Sequence, residues 1–463
     1  MIKFGTDGIR GVAGTQLSAE LAFKIGQATA TVLKRCHEQG LWHYLGQSIR
    51  NNGKRPKVMI AKDTRISCDM LESALASGLC SAGTDVALLG VLPTPAVALL
   101  TIRAEADMGI MISASHNPYE DNGIKFFGSD GYKLCDELES QIEDLINDSS
   151  SIASMTHGNI GRITYDHEYR TDEYVRHLAS AARGKFNGRI AIDCANGSAT
   201  ATARLLFRSI GAEFEIFHDE PNGVNINVDC GSTHLAFLQD MMKTKRFDIG
   251  FAFDGDADRC LVVDELGNVV DGDMMLAVFA KDMLKSNSLH HNSFVGTVIS
   301  NSGMDVFAYE NNLTFHRAPV GDRHVLQMMR ETGCNLGGES SGHILFSDDT
   351  TSGDGQFVAI MFLNALISSG KKVSELVCDI PSFPQVMPSF PLSGGAKQCE
   401  MIMSHPKLQE RIERIGKELH GSGRVLIRPS GTEPIIRVMV EAKSVKLATK
   451  KANEILEIMK ILQ

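Results

Sequence analysis

The chain reads as an α/β protein: three similar α/β domains with mixed or parallel sheets, followed by a smaller α+β C-terminal domain, arranged around a central cleft. Three observations predict this. Short β-rich apolar runs alternate with helix-period segments, and the alternation restarts twice. Such continuous runs are what strands buried on both faces of a parallel sheet require. The rhythm then changes after a proline-rich stretch, 379–395, carrying Pro381, Pro384, Pro388 and Pro391. Lastly, polar motifs stand directly after apolar runs, at the carboxyl ends of strands, where open α/β sheets collect ligands.

The first round holds a strand at Lys57–Ala61, a helix from Met70 to Ala82 and a strand at Asp85–Leu89. Pro93-Thr-Pro95 then turns the chain into another helix, and Met108–Ile112 is the next strand. The second round has strands at Arg189–Asp193, Glu213–Phe217 and Phe247–Phe253, with helices between them. A third places strands at 294–300, 313–316 and 343–346. Residues 147–161, rich in Ser, Asn and Gly, and residues 379–395 read as linkers. Beyond them a long helix at 407–419, strands at 425–427 and 435–440, and a final helix make the last domain. The expected domains are 1–155, 156–253, 254–370 and 371–463, within what 463 residues can form.

A net charge of −10 and the absence of a Lys/Arg stripe argue against nucleic-acid binding, so local groups must hold any anionic ligand. Ten cysteines without a C-x-x-C pair read as thiols in a reducing compartment, neither a disulfide framework nor a zinc site. No segment reads as a signal peptide, and the charge-free run Val86–Ile102 is broken by prolines. A cytoplasmic, membrane-free protein is expected.

Four motifs carry chemistry. Ile112-Ser-Ala-Ser-His-Asn-Pro118 sets Ser115 on a strand-to-turn junction, where Asn117 suits left-handed geometry and Pro118 fixes φ. The junction would hold the hydroxyl out where a substrate can reach it, although an ordinary turn has the same residues. Asp254-Gly-Asp-Ala-Asp-Arg259 puts three carboxylates within five residues after a buried strand. They repel one another unless a hard cation, Mg²⁺ or Ca²⁺, neutralises them. An EF-hand is rejected because Arg259 occupies its glycine position and strands flank the loop. Asp271-Gly-Asp273 needs no metal, since capping the following helix explains it. Gly337–His343 gathers Glu339, Ser341 and His343, able to meet sugar hydroxyls and offer an imidazole. Arg428-Pro-Ser-Gly-Thr-Glu-Pro434 offers Arg428, Ser430, Gly431 and Thr432 to a phosphate, or is a plain hairpin loop.

Together with Phe4-Gly-Thr-Asp-Gly-Ile-Arg-Gly11, Val320–Arg323 and the Ile435–Glu441 run, these segments resemble the α-D-phosphohexomutase superfamily in order and spacing. The resemblance is strongest to its amino-sugar branch. Ala257, where Gly is common, and Ser340, where Gln is common, are departures. It implies an isomerase that moves a phosphoryl group within glucosamine phosphate. Glucosamine 6-phosphate and glucosamine 1-phosphate would interconvert on the way to UDP-N-acetylglucosamine, with glucosamine 1,6-bisphosphate as intermediate and activator. The alternative is the same chemistry on glucose or mannose phosphate. A phosphosugar-binding protein without turnover would have lost Ser115 or one of the three Asp, and neither is lost.

The implied roles are these. Ser115 is the phosphoserine nucleophile, and with Asp254, Asp256 and Asp258 it holds one Mg²⁺ per chain. Lys125 and His343 are the acid/base pair, assisted by Arg10. His116, Arg259, Glu339 and Ser341 meet the sugar phosphate, and Arg428, Ser430, Gly431 and Thr432 hold the phosphate that stays. A homodimer through the first domain is also implied.

Overall fold

A computed structural model describes residues 3–462 apart from 6, 40–54, 153, 394, 420–422 and 430–434. They divide into two units, 1–289 with 335–378, and 290–334 with 379–463. In the first unit the opening sheet contains β1 (Ile9–Val12), β2 (Lys57–Lys62), β3 (Asp85–Val91), β4 (Met108–Ile112), β5 (Asp121–Gly128) and β6 (Ile163–Tyr165), in the order β1-β5-β4-β2-β3-β6. The β4, β2, β3 and β6 strands pair in parallel, while β5 and β1 are antiparallel additions. Every residue of β4 is buried, as expected of a strand covered on both faces. The covering helices are α1 (Ala19–Gln39), α2 (Cys68–Ser81), α3 (Thr94–Arg103) and α4 (Asp136–Asn147). Leu33, Leu71, Leu75, Ile110 and Ile142 are among the residues of the core that α1, α2 and α4 close over.

After α5 (His167–Ser180), a second sheet contains β7 (Arg189–Asp193), β8 (Glu213–Phe217), β9 (Ile249–Phe253), β10 (Cys260–Asp264) and β11 (Val269–Val270). Its order is β11-β10-β9-β7-β8, with α6 (Ala203–Ser209) and α7 (Ala236–Lys245) as connections. Two expected boundaries move. The sheet does not stop at Phe253, because β9 and β10 form an antiparallel hairpin with Phe253 opposite Cys260. The three-aspartate loop is that hairpin's turn. Likewise the first sheet runs past residue 155, because β6 pairs with β3. The segment 147–161 is more than a linker: it folds back through two short 3₁₀ turns, and Gly161 N donates to Cys80 O.

The helix α8 (Gly272–Lys285) begins as expected, with Asp271 Oδ1 accepting from Met274 N at 2.9 Å. In the second unit β12 (Ser293–Thr297) and β13 (Thr314–Ala318) pair in parallel around α9 (Gly303–Glu310), followed by α10 (Asp322–Thr332). The first unit resumes with a hairpin of β14 (Leu336–Gly338) and β15 (Ile344–Phe346), then α11 (Gly355–Ser369) and α12 (Val373–Val377). The loop expected at 337–343 is thus shorter, because Gly337 and Gly338 are strand residues while Gly342 stays in the turn.

The C-terminal domain lies in the second unit. The proline-rich stretch contributes two strands, β16 (Gln385–Val386) and β17 (Ser389–Pro391). Both pair with β19 (Ile435–Glu441), separated by a break at Pro388, whose carbonyl accepts from Val438 N. Prolines are tolerated because they lie before or between these short edge strands or, as Pro391 does, at the end of one, and not in a central strand. The helices α13 (Gly395–Ser404), α14 (Pro406–Leu419) and α15 (Val445–Leu462) and the strand β18 (Arg424–Pro429) complete it. No described helix is long and apolar enough to cross a membrane, and none of the ten cysteines forms a disulfide.

Candidate active site

The strand β4 ends at Ile112, and the chain turns at once. Ser113 Oγ donates to Asp63 Oδ2 at 2.6 Å and accepts from Ser115 N at 2.9 Å. The left-handed residue is Ser115 itself, at φ 53°, and not Asn117. A β-carbon in that region costs about 1–3 kcal/mol and persists only where surrounding contacts hold it. The Ser115 hydroxyl is buried, not held out as expected: Oγ donates to Asp254 Oδ2 at 2.8 Å and lies 3.3 Å from His116 Nδ1. The tips of the first and second sheets therefore meet at one hydrogen bond between residues 139 apart in sequence.

The Asp254–Asp258 turn is buried throughout. Gly255 lets it come this close: a β-carbon there would stand 2.5 Å from Ser115 O. One ligand oxygen from each of Asp254, Asp256 and Asp258 falls within 4.8 Å of the others. Burial, and then the Asp258 and Asp256 carboxylates, push the Asp254 carboxyl well above the usual range. For Asp258 burial acts the same way, but His343, Lys125 and Arg259 hold its carboxyl below that range. Asp256 Oδ2 accepts from Thr94 Oγ1 at 2.5 Å and Lys125 Nζ at 2.8 Å. Asp256 Oδ1 and Asp258 Oδ1 are buried without a hydrogen-bond partner among the described residues. Three converging carboxylates with two orphaned oxygens suit a hard divalent cation.

Lys125, on β5, is fully inside this cluster. Its Nζ lies 2.8 Å from Asp256, 3.0 Å from Asp7 and 3.9 Å from Asp258. Burial opposes its charge, but these carboxylates outweigh it and hold the ammonium above its ordinary pKa. Lys125 is thus held in its charged form by these carboxylates. Asp7 also pairs with Lys133 Nζ at 2.7 Å and with Arg10. Gly8, at φ 81°, makes this corner possible, since a β-carbon would stand 2.2 Å from Ile124 O. His116 keeps an exposed face, yet partial burial and then the Arg259 and Arg10 guanidiniums lower its pKa to about 4, leaving it neutral near pH 7.

Arg259 N donates to Asp254 Oδ1 at 3.2 Å, and its guanidinium lies 3.8 Å from Asp258. The Glu339–His343 turn is stitched down by Cys260 N to Gly342 O at 3.1 Å and Gly272 N to Ser340 O at 3.0 Å. It brings His343 Nδ1 to 3.7 Å from Asp258 Oδ2. Ser341 Oγ is buried without a hydrogen-bond partner among the described residues.

The first unit thus gathers Ser115, His116, Lys125, Asp254, Asp256, Asp258, Arg259 and His343, with Arg10 reaching the cluster through Asp7. Arg428 lies on β18 in the second unit, opposite Arg437. Ser430, Gly431 and Thr432 fall outside the described residues. Sequence reasoning missed Asp7, Asp63, Arg65, Thr94, Lys133 and Asn227. The Asp7 signal was available, in the same glycine-rich opening as Arg10; the others become visible only by long-range contact. A second cluster, Asp193, His218 and Cys230, has the spacing of metal ligands. Its carboxylate is already committed to Ala195 N, Gly231 N and His218, so it explains itself as structure.

Four domain models match the chain: Phosphoglucomutase/phosphomannomutase alpha/beta/alpha domain I at residues 1–153, domain II at 172–267, domain III at 271–383 and the C-terminal domain at 390–458. The phosphoglucosamine mutase of Acetivibrio thermocellus is 46% identical over 457 residues, covering 98% of each chain. That of Shouchella clausii is 42% identical, covering 99% of this chain and 98% of its own. A phosphoglucomutase/phosphomannomutase family protein from Burkholderia thailandensis superposes with a TM-score of 0.82 at 25% identity, covering 100% of this chain and 98% of that one. The N-acetylphosphoglucosamine mutase of Aspergillus fumigatus, solved with GlcNAc-6P and magnesium, shares the fold at TM-score 0.65 and 20% identity, covering 80% and 93%. The fold and site define a phosphohexomutase. Within that class, the chain belongs to the phosphoglucosamine mutase branch of the phosphoglucomutase/phosphomannomutase family.

Proposed function

We infer that the chain interconverts glucosamine 6-phosphate and glucosamine 1-phosphate, with Ser115 carrying the phosphoryl group. The observation that carries this reading is the 2.8 Å bond from Ser115 Oγ to Asp254 Oδ2, which puts a buried hydroxyl against three carboxylates. Asp254, Asp256 and Asp258, with a phosphate oxygen on Ser115, would hold one Mg²⁺. Bound there, the ion would supply positive charge to offset that of the transferring phosphoryl oxygens.

PhosphoSer115 gives its phosphoryl to the C1 hydroxyl of glucosamine 6-phosphate: the Ser115 Oγ–P bond breaks as the O1–P bond forms, the C1 hydroxyl loses its proton to a base, and the departing Ser115 oxygen takes up a proton to return as a hydroxyl. The glucosamine 1,6-bisphosphate formed reverses its orientation. Ser115 then takes the phosphoryl from C6, and the C6 oxygen leaves as a hydroxyl. Lys125, held charged by Asp256 and Asp7, serves as a fixed cation beside the phosphoryl path. His343, against Asp258, is the residue we assign to proton transfer. Arg10, His116, Arg259, Glu339 and Ser341 meet the sugar phosphate, and Arg428, Ser430, Gly431 and Thr432 hold the phosphate that stays. The enzyme works in the cytoplasm as a homodimer through its first domain, which sedimentation of the purified chain tests.

The test of the function compares kcat/KM for glucosamine, glucose and mannose phosphates, with Mg²⁺ and the matching bisphosphate, using Ser115→Ala as the blank. Preference for glucosamine phosphate that vanishes in the blank is expected. Preference for glucose or mannose phosphate moves the chain to the sister activity, and turnover by Ser115→Ala overturns the nucleophile.

A further inference from the structure

Two side chains that, among the described residues, make no hydrogen bond to the aspartate triad or the Ser115 hydroxyl hold the Ser115 loop by its backbone. Arg65 is buried and uses all five of its N–H donors. Its Nε donates to Asp63 Oδ2 at 2.8 Å. Its Nη1 donates to Pro118 O and, at 2.9 Å, to Asp121 O. Its Nη2 donates to Ser115 O and Asn117 O, each at 2.9 Å. Asp63 in turn accepts from Ser113 Oγ, so one ion pair grips both sides of the turn. From the second domain, Asn227 Nδ2 donates to the same two carbonyls, Ser115 O at 2.9 Å and Asn117 O at 3.2 Å.

Each of these carbonyls therefore receives one donor from each domain. The lobes are also tied beside the clamp, by Thr64 Oγ1 to Asn196 O at 2.6 Å and Ile66 N to Gly223 O at 2.8 Å. The loop needs such a grip because Ser115 sits at φ 53°, a conformation a serine adopts only when its surroundings impose it. In-line transfer is sensitive to placement: a misplacement of about 1 Å can cost about 100-fold in rate.

We propose that Arg65 and Asn227 are positioning residues for phosphoryl transfer, joining the two domains on the Ser115 and Asn117 carbonyls and so aiming Ser115 Oγ at its acceptor. The proposal rests on Ser115 as the phosphoryl carrier. Neither residue is among the groups assigned to the sugar phosphate, so the loss on mutation belongs in kcat.

The test uses the full chain with Mg²⁺, comparing wild type with Asn227→Ala, Asn227→Asp and Arg65→Lys. Asn227→Ala is expected to lower kcat about tenfold or more with KM for the sugar phosphate within about twofold. Asn227→Asp, which sets a carboxylate against two carbonyls, is expected to fall further. Arg65→Lys keeps the charge but loses the fork, and should do the same. Amide exchange at residues 113–121 should quicken in each variant, a change that lost stability elsewhere would not produce. Should Arg65→Lys fail to fold, the Asn227 pair decides. An unchanged kcat in Asn227→Ala, or a loss found wholly in KM, overturns the proposal. Activity surviving in Ser115→Ala would instead sink the underlying reading of the site.

Discussion

Ser115 combines two costs in one residue: a left-handed backbone and a hydroxyl buried against a carboxylate whose own charge is disfavoured. Neither is useful to a structural turn. Ala257 repeats the pattern in the three-aspartate loop at φ 56°, where glycine would be unstrained, so this departure is accommodated by local strain. The repulsion among the aspartates has a measurable sign. Replacing Asp254 with Asn removes one of three buried carboxylates and should raise the stability of the metal-free protein. The same change should lower turnover by at least about 100-fold and weaken the rise in Tm that Mg²⁺ brings. Urea unfolding without Mg²⁺, Mg²⁺-dependent melting and a coupled assay check the three together. A less stable metal-free Asp254→Asn would show that the carboxylates are not in conflict.

Among the elements, α11 carries its own pH dependence. Its cap, Asp354, accepts from Phe357 N and from Tyr174 Oη, each at 2.9 Å. Burial nonetheless raises its pKa from 3.8 to about 6, the two hydrogen bonds only opposing it. The folded state therefore binds this proton more tightly than the unfolded chain does. Stability from this group is greatest below pH 4 and falls as pH rises through about 6, by about 3 kcal/mol in all. Asn caps a helix as well as Asp does, so Asp354→Asn should flatten that part of the profile. The difference in urea midpoint between wild type and variant, followed from pH 4 to 7, measures it. A difference that does not vary over that range would show that the cap does not titrate.

The β1–β5 corner gives a second test. Gly8→Ala drives a β-carbon into Ile124 O at a positive φ and should cost about 2–4 kcal/mol. It would also displace Asp7 from Lys125, so kcat should fall in step with Tm. A variant as stable as wild type would refute the close approach.

At the scale of the whole molecule, the chain crosses between its two units more than once, and the second unit joins distant segments through one buried acid. Glu441 is fully buried at the end of β19 and pairs with Arg424 at 3.0 Å and 3.3 Å. It also accepts from Ser302 N at 3.0 Å, while Arg424 Nη1 donates to Val298 O at 2.9 Å. The C-terminal sheet is thus fastened to the segment after β12. Removing one partner strands the other charge, so Glu441→Ala should destabilise this unit by about 3–5 kcal/mol. Calorimetry should show one transition move while the Mg²⁺ response of the first unit stays in place. A shift of both together would mean that the units unfold as one.

How much of this was legible in the chain depends on the range of the physics. The runs at 189–193 and 213–217 are strands with the expected ends, and Asp271 caps α8, because periodicity and capping act within a turn or two. The three aspartates were legible for the same reason, their spacing being local. The domain ends at 155 and 253 were not, because pairing of β6 with β3 and of β10 with β9 is settled by partners and not by local pattern. Nor was the burial of Ser115, which depends on a strand tip 139 residues away. The sequence by itself determined the α/β class and the family, and it named the candidate residues of the site. Only the tertiary structure decided which groups meet: Thr94 and Lys125 on Asp256, Asp7 on Lys125, and Arg65 with Asn227 on one pair of carbonyls. These contacts join segments more than 40 residues apart, where no local preference acts and only packing of the completed sheets selects the pairing.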